Sequence, residues 1–455
     1  MKNTLLLRPI LLISILYCLF LVSCQNQSKS ETETTVGDYK VPETIPLIFT
    51  EPEPFEWETI TSDTLTTPVT YSLNVDALPS KPFALNDFKP LKSPMKEFDL
   101  DWENYPTEEV KFDSVPFTIK TDPIKKPTIT KMKPPGIMEG TNANLLQLST
   151  NEGLTSNLIK TIIENKDGTT WFATSQSLIL YDGENSFSYD YTNINDMVFD
   201  DQGRLWLATF RNGLYVLDFK KNVQYTINVF GDQLSLVDIL YDQSGVIYLS
   251  SYRDGIYSID TKFENLKELV TKGTKLPLTL FEDHNENIWL SFEGGIGCIG
   301  KERHVLKFLP ENLKLNFALD IKEDASGTIW ICSPEKNEVL NLSLQQKKAR
   351  TLTKENGYDI EGTRLQEDEN GRMWIAANEK VFILSEDRNS FKSIFTNSKI
   401  RLNGRGSILK RKDGSIWIGT LDKGIIMTNQ FTLKTEYFDT SRGLINDQVW
   451  EIEED

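Results

Sequence analysis

Histidine, cysteine and basic charge are all in short supply in this 455-residue chain. The two histidines, His284 and His304, have neither a nucleophile nor a second metal ligand beside them in sequence. Zinc chemistry and Ser-His-Asp hydrolysis therefore have little to build on, and no metal or cofactor is expected. Lys and Arg total 49 against 66 Asp and Glu, a formal net charge of −17, which disfavours nucleic acid and anionic surfaces as partners. No ATP-binding glycine box and no phosphoacceptor helix of a kinase is visible. The single long apolar run, from Ile10 to Val22, is shorter than the roughly 20 residues a spanning helix needs.

What the chain has instead is a repeat. An aromatic recurs at Trp171, Trp206, Tyr248, Trp289, Trp330, Trp374 and Trp417, at intervals of 35, 42, 41, 41, 44 and 43 residues. Three residues before it stands Gly168, Gly203, Gly245, Gly327, Gly371 or Gly414, with Glu286 in the fourth copy. Six residues before it stands Asp200, Asp242, Asp283, Asp324 or Asp368, a side chain able to cap backbone N–H groups of a turn. Two residues after it the side chain is always small: Ala173, Ala208, Ser250, Ser291, Cys332, Ala376 and Gly419. Alternating apolar runs flank each turn, and a second turn and two further strands complete a unit.

A period near 40 residues built from strands indicates blades that bury their faces only against neighbours. The expected fold is all-β: a seven-bladed β-propeller of four-stranded antiparallel blades, strands A to D, over residues 142–440, preceded by a Pro-rich extended segment. An open β-solenoid is the rival, with repeats that are usually shorter.

The alignment also disposes of decoys. Gly295-Ile296-Gly297-Cys298-Ile299-Gly300 fits a dinucleotide fingerprint, but the repeat makes it a strand C with no helix following. Cys332 fills the small-residue position and Cys298 a strand C position, so both read as buried structural thiols.

The string Gly-Leu-x-x-Asn, Ile-x-x-Ile, Gly-x-x-Trp-x-Ala-Thr, over residues 153–174, resembles the two-component-regulator propeller repeat. That resemblance covers residues 144–455 and implies an extracytoplasmic sensor of the kind found in Bacteroidetes-type bacteria. Such relatives often carry two propellers, a small β-sandwich, a membrane helix and a signalling output. It implies a non-catalytic sensing or binding propeller, with an envelope scaffold lipoprotein or a carbohydrate-active enzyme as alternatives. It also allows a dimer formed through C-terminal regions beyond this chain.

Residues 1–24 read as a secretory signal, and Leu21-Val22-Ser23-Cys24 resembles a bacterial lipobox that would make Cys24 the lipidated first residue. The chain would then reach the membrane through its N-terminal lipid, with the outer membrane favoured over the inner. Fifteen of the 19 prolines lie between Pro42 and Pro135, so residues 25–141 read as an extended stalk. Short stretches within it, such as Val110-Lys111-Phe112-Asp113, are apolar enough to lie along the propeller. Residues 145–150 echo residues 435–440, so an N-terminal strand D would close the seventh blade and free the Thr435 strand to open a second ring. Residues 441–455 repeat the opening of the first unit and read as the start of an eighth, a truncated second propeller.

Binding usually lives on variable loops of a rigid scaffold. The B–C loops supply Arg211, Tyr252, Arg253, Glu293 and Lys423 as candidate ligand-binding residues. Their forked hydrogen bonds and flat faces suit a small-molecule or glycan ligand. An envelope protein is the other expected partner.

Overall fold

The computed structural model describes residues 80–82, 88–138, 145–229, 234–252, 255–270, 275–313, 315, 317–335, 337–358, 362–377, 380–394, 407–428 and 434–436. The signal segment with Cys24, the eighth-repeat stretch 441–455 and Arg253 lie outside them. Among the described residues, no helix is long and apolar enough to cross a membrane.

The described residues form seven sheets of five antiparallel strands, the blades of a propeller, plus one separate strand pair. Blade 2 illustrates the unit. Strands A to D are Ile194–Phe199, Leu205–Thr209, Leu214–Asp218 and Val223–Val229, paired in sequence order. The ring closes as the repeat echo predicts. Leu145–Leu148 pairs with Ile425–Thr428, so the N-terminal strand is strand D of blade 7. Gly424 permits this closure, since a Cβ there would lie 2.1 Å from the Leu148 carbonyl oxygen. The Thr435 strand does not stand free: Lys434–Glu436 pairs with Ser80–Pro82.

Two expectations are corrected. The blades have five strands, not four, and residues 89–137 are not a stalk. That segment runs once around the rim as a belt and adds an outer antiparallel strand to every blade. It visits blade 6 at Lys89–Pro90, then blade 5 at Lys96–Asp99 and blade 4 at Thr107–Glu109. It continues to blade 3 at Lys111–Ser114, blade 2 at Phe117–Pro123, blade 1 at Thr128–Lys131 and blade 7 at Gly136–Ile137. The physical reason is that each strand D would otherwise expose a row of unpaired backbone groups. Proline, barred from central strands, is tolerated on such an outermost strand and at the crossings between blades.

Between its strands the belt drops at least one apolar side chain into each seam. Leu91, Leu100, Val110, Val115, Ile124, Met132 and Met138 each join a different core cluster. Each of those clusters also holds one repeat aromatic: Val115 shares its cluster with Trp206, Leu100 with Trp289, and Val110 with Tyr248. The small residue two places after the aromatic allows the blades to meet. A Cβ on Gly419 of blade 7 would lie 2.8 Å from Ile159 Cγ2 of blade 1.

The A–B turns are built on their aspartates. Asp324 Oδ1 accepts the N–H groups of Ser326 and Thr328, and Oδ2 accepts Nε1–H of Trp330 at 2.7 Å. The same indole-to-Asp bond ties Trp206 to Asp200, Trp289 to Asp283 and Trp374 to Asp368. Blade 1 has Asn165 at this position, and the buried Nε1 of Trp171 has no hydrogen-bond partner. Glu286, in the one copy without glycine, takes φ 64° itself. Seams are stapled here too. Glu282, Glu323, Glu367 and Glu164 each accept a backbone N–H from the preceding blade's turn, at 2.7–2.8 Å.

Leu100, 2% exposed, tests the belt. Leu100→Ala should cost about 2–4 kcal/mol in urea denaturation of the whole chain. Ile129→Ala, on a belt side chain that is 62% exposed, should stay within about 0.5 kcal/mol. Equal effects would mean that the belt does not plug the seams. Burial alone would raise the Asp324 carboxyl, but hydrogen bonds from Ser326, Trp330 and Thr328 and the Arg388 charge hold it below its ordinary value. Its contribution is therefore present above about pH 4 and lost as pH falls through the lowered folded value. Asp324→Ala should cost about 1–3 kcal/mol at neutral pH and less in acid, followed by tryptophan fluorescence.

Candidate functional site

Ten residues before each repeat aromatic lies a polar side chain: Thr161, Asp196, Asp238, Thr279, Asp320, Arg364 and Ser407. All seven line a cavity of about 380 Å³ on the propeller axis, walled by the A strands. A register shift in strand A immediately precedes Thr161, Asp196, Asp238, Thr279 and Arg364. Bulges of this kind re-aim side chains at barrel rims. The cavity continues from this ring toward the A–B end, where Tyr241, Glu282 and Lys322 reach it.

The ring is bonded across the seams. Thr161 Oγ1 donates to Asp196 Oδ1 at 3.0 Å, joining blades 1 and 2. Asp238 Oδ2 accepts the Leu280 N–H at 2.7 Å, and Asp320 Oδ2 the Leu365 N–H at 2.8 Å. Thr279 and Arg364 both donate to the Leu319 carbonyl. Ser407 Oγ donates to the Ile162 carbonyl at 3.2 Å and so links blade 7 to blade 1. These bonds fix each side chain's direction, so the channel wall is rigid and pre-set.

Its charge is uneven. Asp196 and Asp238 are neighbours on blades 2 and 3. Burial pushes the Asp238 carboxyl well above its ordinary range, and the Asp196 charge and hydrogen bond add to the rise. The Leu280 N–H and the Arg364 charge act in the opposite direction. The balance of these causes favours the protonated form of Asp238. Arg364, on blade 6, faces the junction of blades 2 and 3 across the sevenfold axis. Asp320 and Lys322 of blade 5 and Glu282 of blade 4 line the same cavity, so both signs of charge meet on that side.

The B–C loop candidates sit at the other end, on separate blades. Arg211 has φ 67° and lays its guanidinium 4.9 Å from the Phe210 ring centroid. Tyr252 is 43% exposed, and its N–H donates to the Ser235 carbonyl. Glu293 ends strand B of blade 4 and is exposed. Lys423 is exposed, and its N–H donates to Thr420 Oγ1 at 2.8 Å. The topology puts these four around one rim on blades 2, 3, 4 and 7.

Cys298 and Cys332 are free, buried thiols, and burial raises both above the ordinary thiol range. Gly295–Ile299 is strand C of blade 4, with no helix after it. His284, in an A–B turn, pairs with Glu323 of the next blade, and His304 is exposed in a C–D loop.

The channel ring went unread in the sequence, although its signal was there. The residue following each ring position is apolar in every copy: Ile162, Met197, Ile239, Leu280, Ile321, Leu365 and Ile408. The ring position itself is polar in every copy. The mark is lost when strand A is read only for hydrophobicity.

Residues 188–211, from strand D of blade 1 through Asp196, Asp200 and Trp206, match the family model described as two component regulator propeller. No curated protein matches the chain significantly. Three solved structures are similar in fold. One is the extracellular domain of a candidate one component system from B. thetaiotaomicron. It is 14% identical, covers 63% of this chain and 44% of its own, and has a TM-score of 0.50. A second, from a candidate hybrid two component system of the same bacterium, is 20% identical, covers 62% of this chain and 41% of its own, with a TM-score of 0.49. The third is an inactive variant of virginiamycin B lyase from Staphylococcus aureus, solved with quinupristin. It is 14% identical, covers 62% of this chain and 98% of its own, with a TM-score of 0.52. The chain spans less than half the length of the two B. thetaiotaomicron domains.

The raised Asp238 carboxyl has a testable consequence. The folded Asp238 keeps a proton that the unfolded chain releases near pH 4. Its contribution is full below that pH and is lost as pH rises through the raised folded value. Asp238→Asn preserves the hydrogen-bonding shape and does not titrate. Urea denaturation should show a flatter pH dependence above about pH 4 and no loss of stability as pH rises further. A loss equal at every pH would rule out a raised Asp238 carboxyl.

Proposed function

We propose that this chain is a non-catalytic, extracytoplasmic sensing propeller of a two-component-type signalling protein, and that its ligand enters the axial channel. The observation that carries this reading is the polar ring at one position of the seven A strands, in a cavity of about 380 Å³. Ligand pockets of a few hundred Å³ with convergent polar groups are the usual form of small-molecule sites. The two-component-regulator repeat at residues 188–211 supports the signalling context.

Against catalysis, Asp196, Asp238 and Asp320 each accept a hydrogen bond from a neighbouring blade. Both histidines lie in loops of the A–B and C–D end, away from the ring. The likeness to virginiamycin B lyase is one of fold. The lipobox at Cys24 would hold the propeller at the envelope, and Arg211, Tyr252, Arg253, Glu293 and Lys423 would form the rim through which a ligand enters. A docked envelope protein would use that same rim.

A thermal-shift panel of sugars, oligosaccharides and amino acids against the whole chain tests this reading. A stabilising compound recovered without chemical change supports a sensor. Release of a product overturns it. Ring variants should abolish the shift, whereas Arg211→Ala with Arg253→Ala should weaken binding only if the rim also takes part.

A further inference from the structure

Blade 5 departs from the repeat at one buried position. On strand C, the residue paired with the repeat aromatic is Leu180, Val216, Ser258, Cys298, Ile383 or Met427 in the other six blades. In blade 5 it is Asn341, paired with Trp330 and only 3% exposed. Its Nδ2 donates to Met95 Sδ of the belt at 3.7 Å, and its Oδ1 accepts no hydrogen bond. An apolar residue fills the same position in blades 1, 2, 6 and 7 and leaves no carbonyl unpaired.

Asn341 lines a cavity of about 730 Å³ between blades 5 and 6, bordered by Pro94 and Met95 of the belt. The seam is open here for want of a ring. Phe219, Phe263 and Trp102 lie on the repeat tryptophans of blades 1, 2 and 4, with centroids 5.0, 5.5 and 5.3 Å apart. Among the described residues no ring packs on Trp330. The Arg388 guanidinium lies 5.1 Å from its centroid instead.

We infer that this cavity is a second binding site, for a neutral planar molecule that carries a hydrogen-bond donor beside an acceptor: a purine base or its nucleoside, or a primary carboxamide. The site is separate from the axial channel, and the inference does not rest on the sensing reading.

Three features define that class. An asparagine amide offers an acceptor oxygen and two donor hydrogens, so Asn341 keeps Oδ1 and one Nδ2 hydrogen for a ligand. That edge pairs with an amino group next to a ring nitrogen, as on adenine, or with another amide. An ammonium would use the acceptor alone and leave the donor unpaired. Charge selects against anions. Glu97, Asp324, Glu367, Glu386 and Asp387 line the cavity against Arg350 and Arg388. Both guanidiniums are already committed. Arg350 donates to Glu97 and Gln346, and Arg388 to Asp324, Glu367 and the Gly371 carbonyl. Flatness follows from the place the ligand takes, which rings fill in the other seams. A cavity of this size is in the range of small-molecule sites.

The test is titration calorimetry of the whole chain with adenine, adenosine and nicotinamide. One site per chain is expected, and the preferred compound tells a purine from a carboxamide. Dimethylating the amino or amide nitrogen of the binder removes its donor and should weaken it about tenfold or more. Asn341→Leu should weaken the unmodified binder by a similar factor, while stability in urea is kept or raised because the unpaired carbonyl is gone. If that variant does not fold, the dimethylated compound decides alone. Adenosine 5′-monophosphate should bind less tightly than adenosine. The inference is overturned if none of the three compounds binds, if dimethylation or Asn341→Leu changes nothing, or if putrescine binds more tightly. Loss of binding in Asp238→Asn would place the compound in the axial channel and overturn it too. A more stable Asn341→Leu chain, with no compound bound by either chain, would make Asn341 the seat of buried water only, and would likewise overturn it.

Discussion

A single blade of this protein cannot hide its own two faces, so the fold depends on the seams where blades meet. Each seam is filled from three sources. The repeat contributes one aromatic, the position two residues later stays small enough for close approach, and the belt plugs the outer edge. Trp289 shows all three. It is fully buried, its Nε1–H is bonded to Asp283, and Leu100 packs in its cluster from the rim. Fully burying an aliphatic side chain such as Leu100 is worth about 1.5–3 kcal/mol. The belt is thus a structural layer in its own right.

The belt also explains a composition that looks adverse. A segment with prolines at Pro90, Pro94, Pro106, Pro116, Pro123, Pro127, Pro134 and Pro135 makes a poor central strand. On an outer edge it needs to donate hydrogen bonds in one direction only. Its outward side then discourages further strand pairing, as edge strands require. Ile129 and Ile137 are exposed on this outer layer at 62% and 79%, a sign that the belt's faces alternate between seam and solvent.

What the sequence disclosed follows from what repeats. Seven aromatics at a fixed period established the blade count, and the echo of residues 435–440 in residues 145–150 predicted the closing strand. Cys332 and Cys298 were placed by register alone. The belt was not legible because it does not repeat. Its contacts join residues as far apart as Lys89 and Phe391, and only pairing with strands already formed gives it shape. The Asp-to-indole bonds were half legible. The six-residue spacing was visible, but its capping role concealed the second carboxylate oxygen's tie to the ring nitrogen. The channel ring repeats in polarity and not in identity, so a search for shared residues passes over it.

That difference in identity is what makes the ring informative. A purely structural stitch needs only a side chain that crosses the seam, and threonine or serine suffices, as Thr161, Thr279 and Ser407 demonstrate. Placing two carboxyls side by side at Asp196 and Asp238 raises the energy of the ionised pair, a cost the stitch does not require. A guanidinium at the same position of blade 6 and a further carboxyl, Asp320, on blade 5 make the ring unequal from blade to blade. Because the same side chains span the seams, a group bound at the ring would touch the joints between blades. Such a group would meet side chains already aimed by the protein's own hydrogen bonds across the seams.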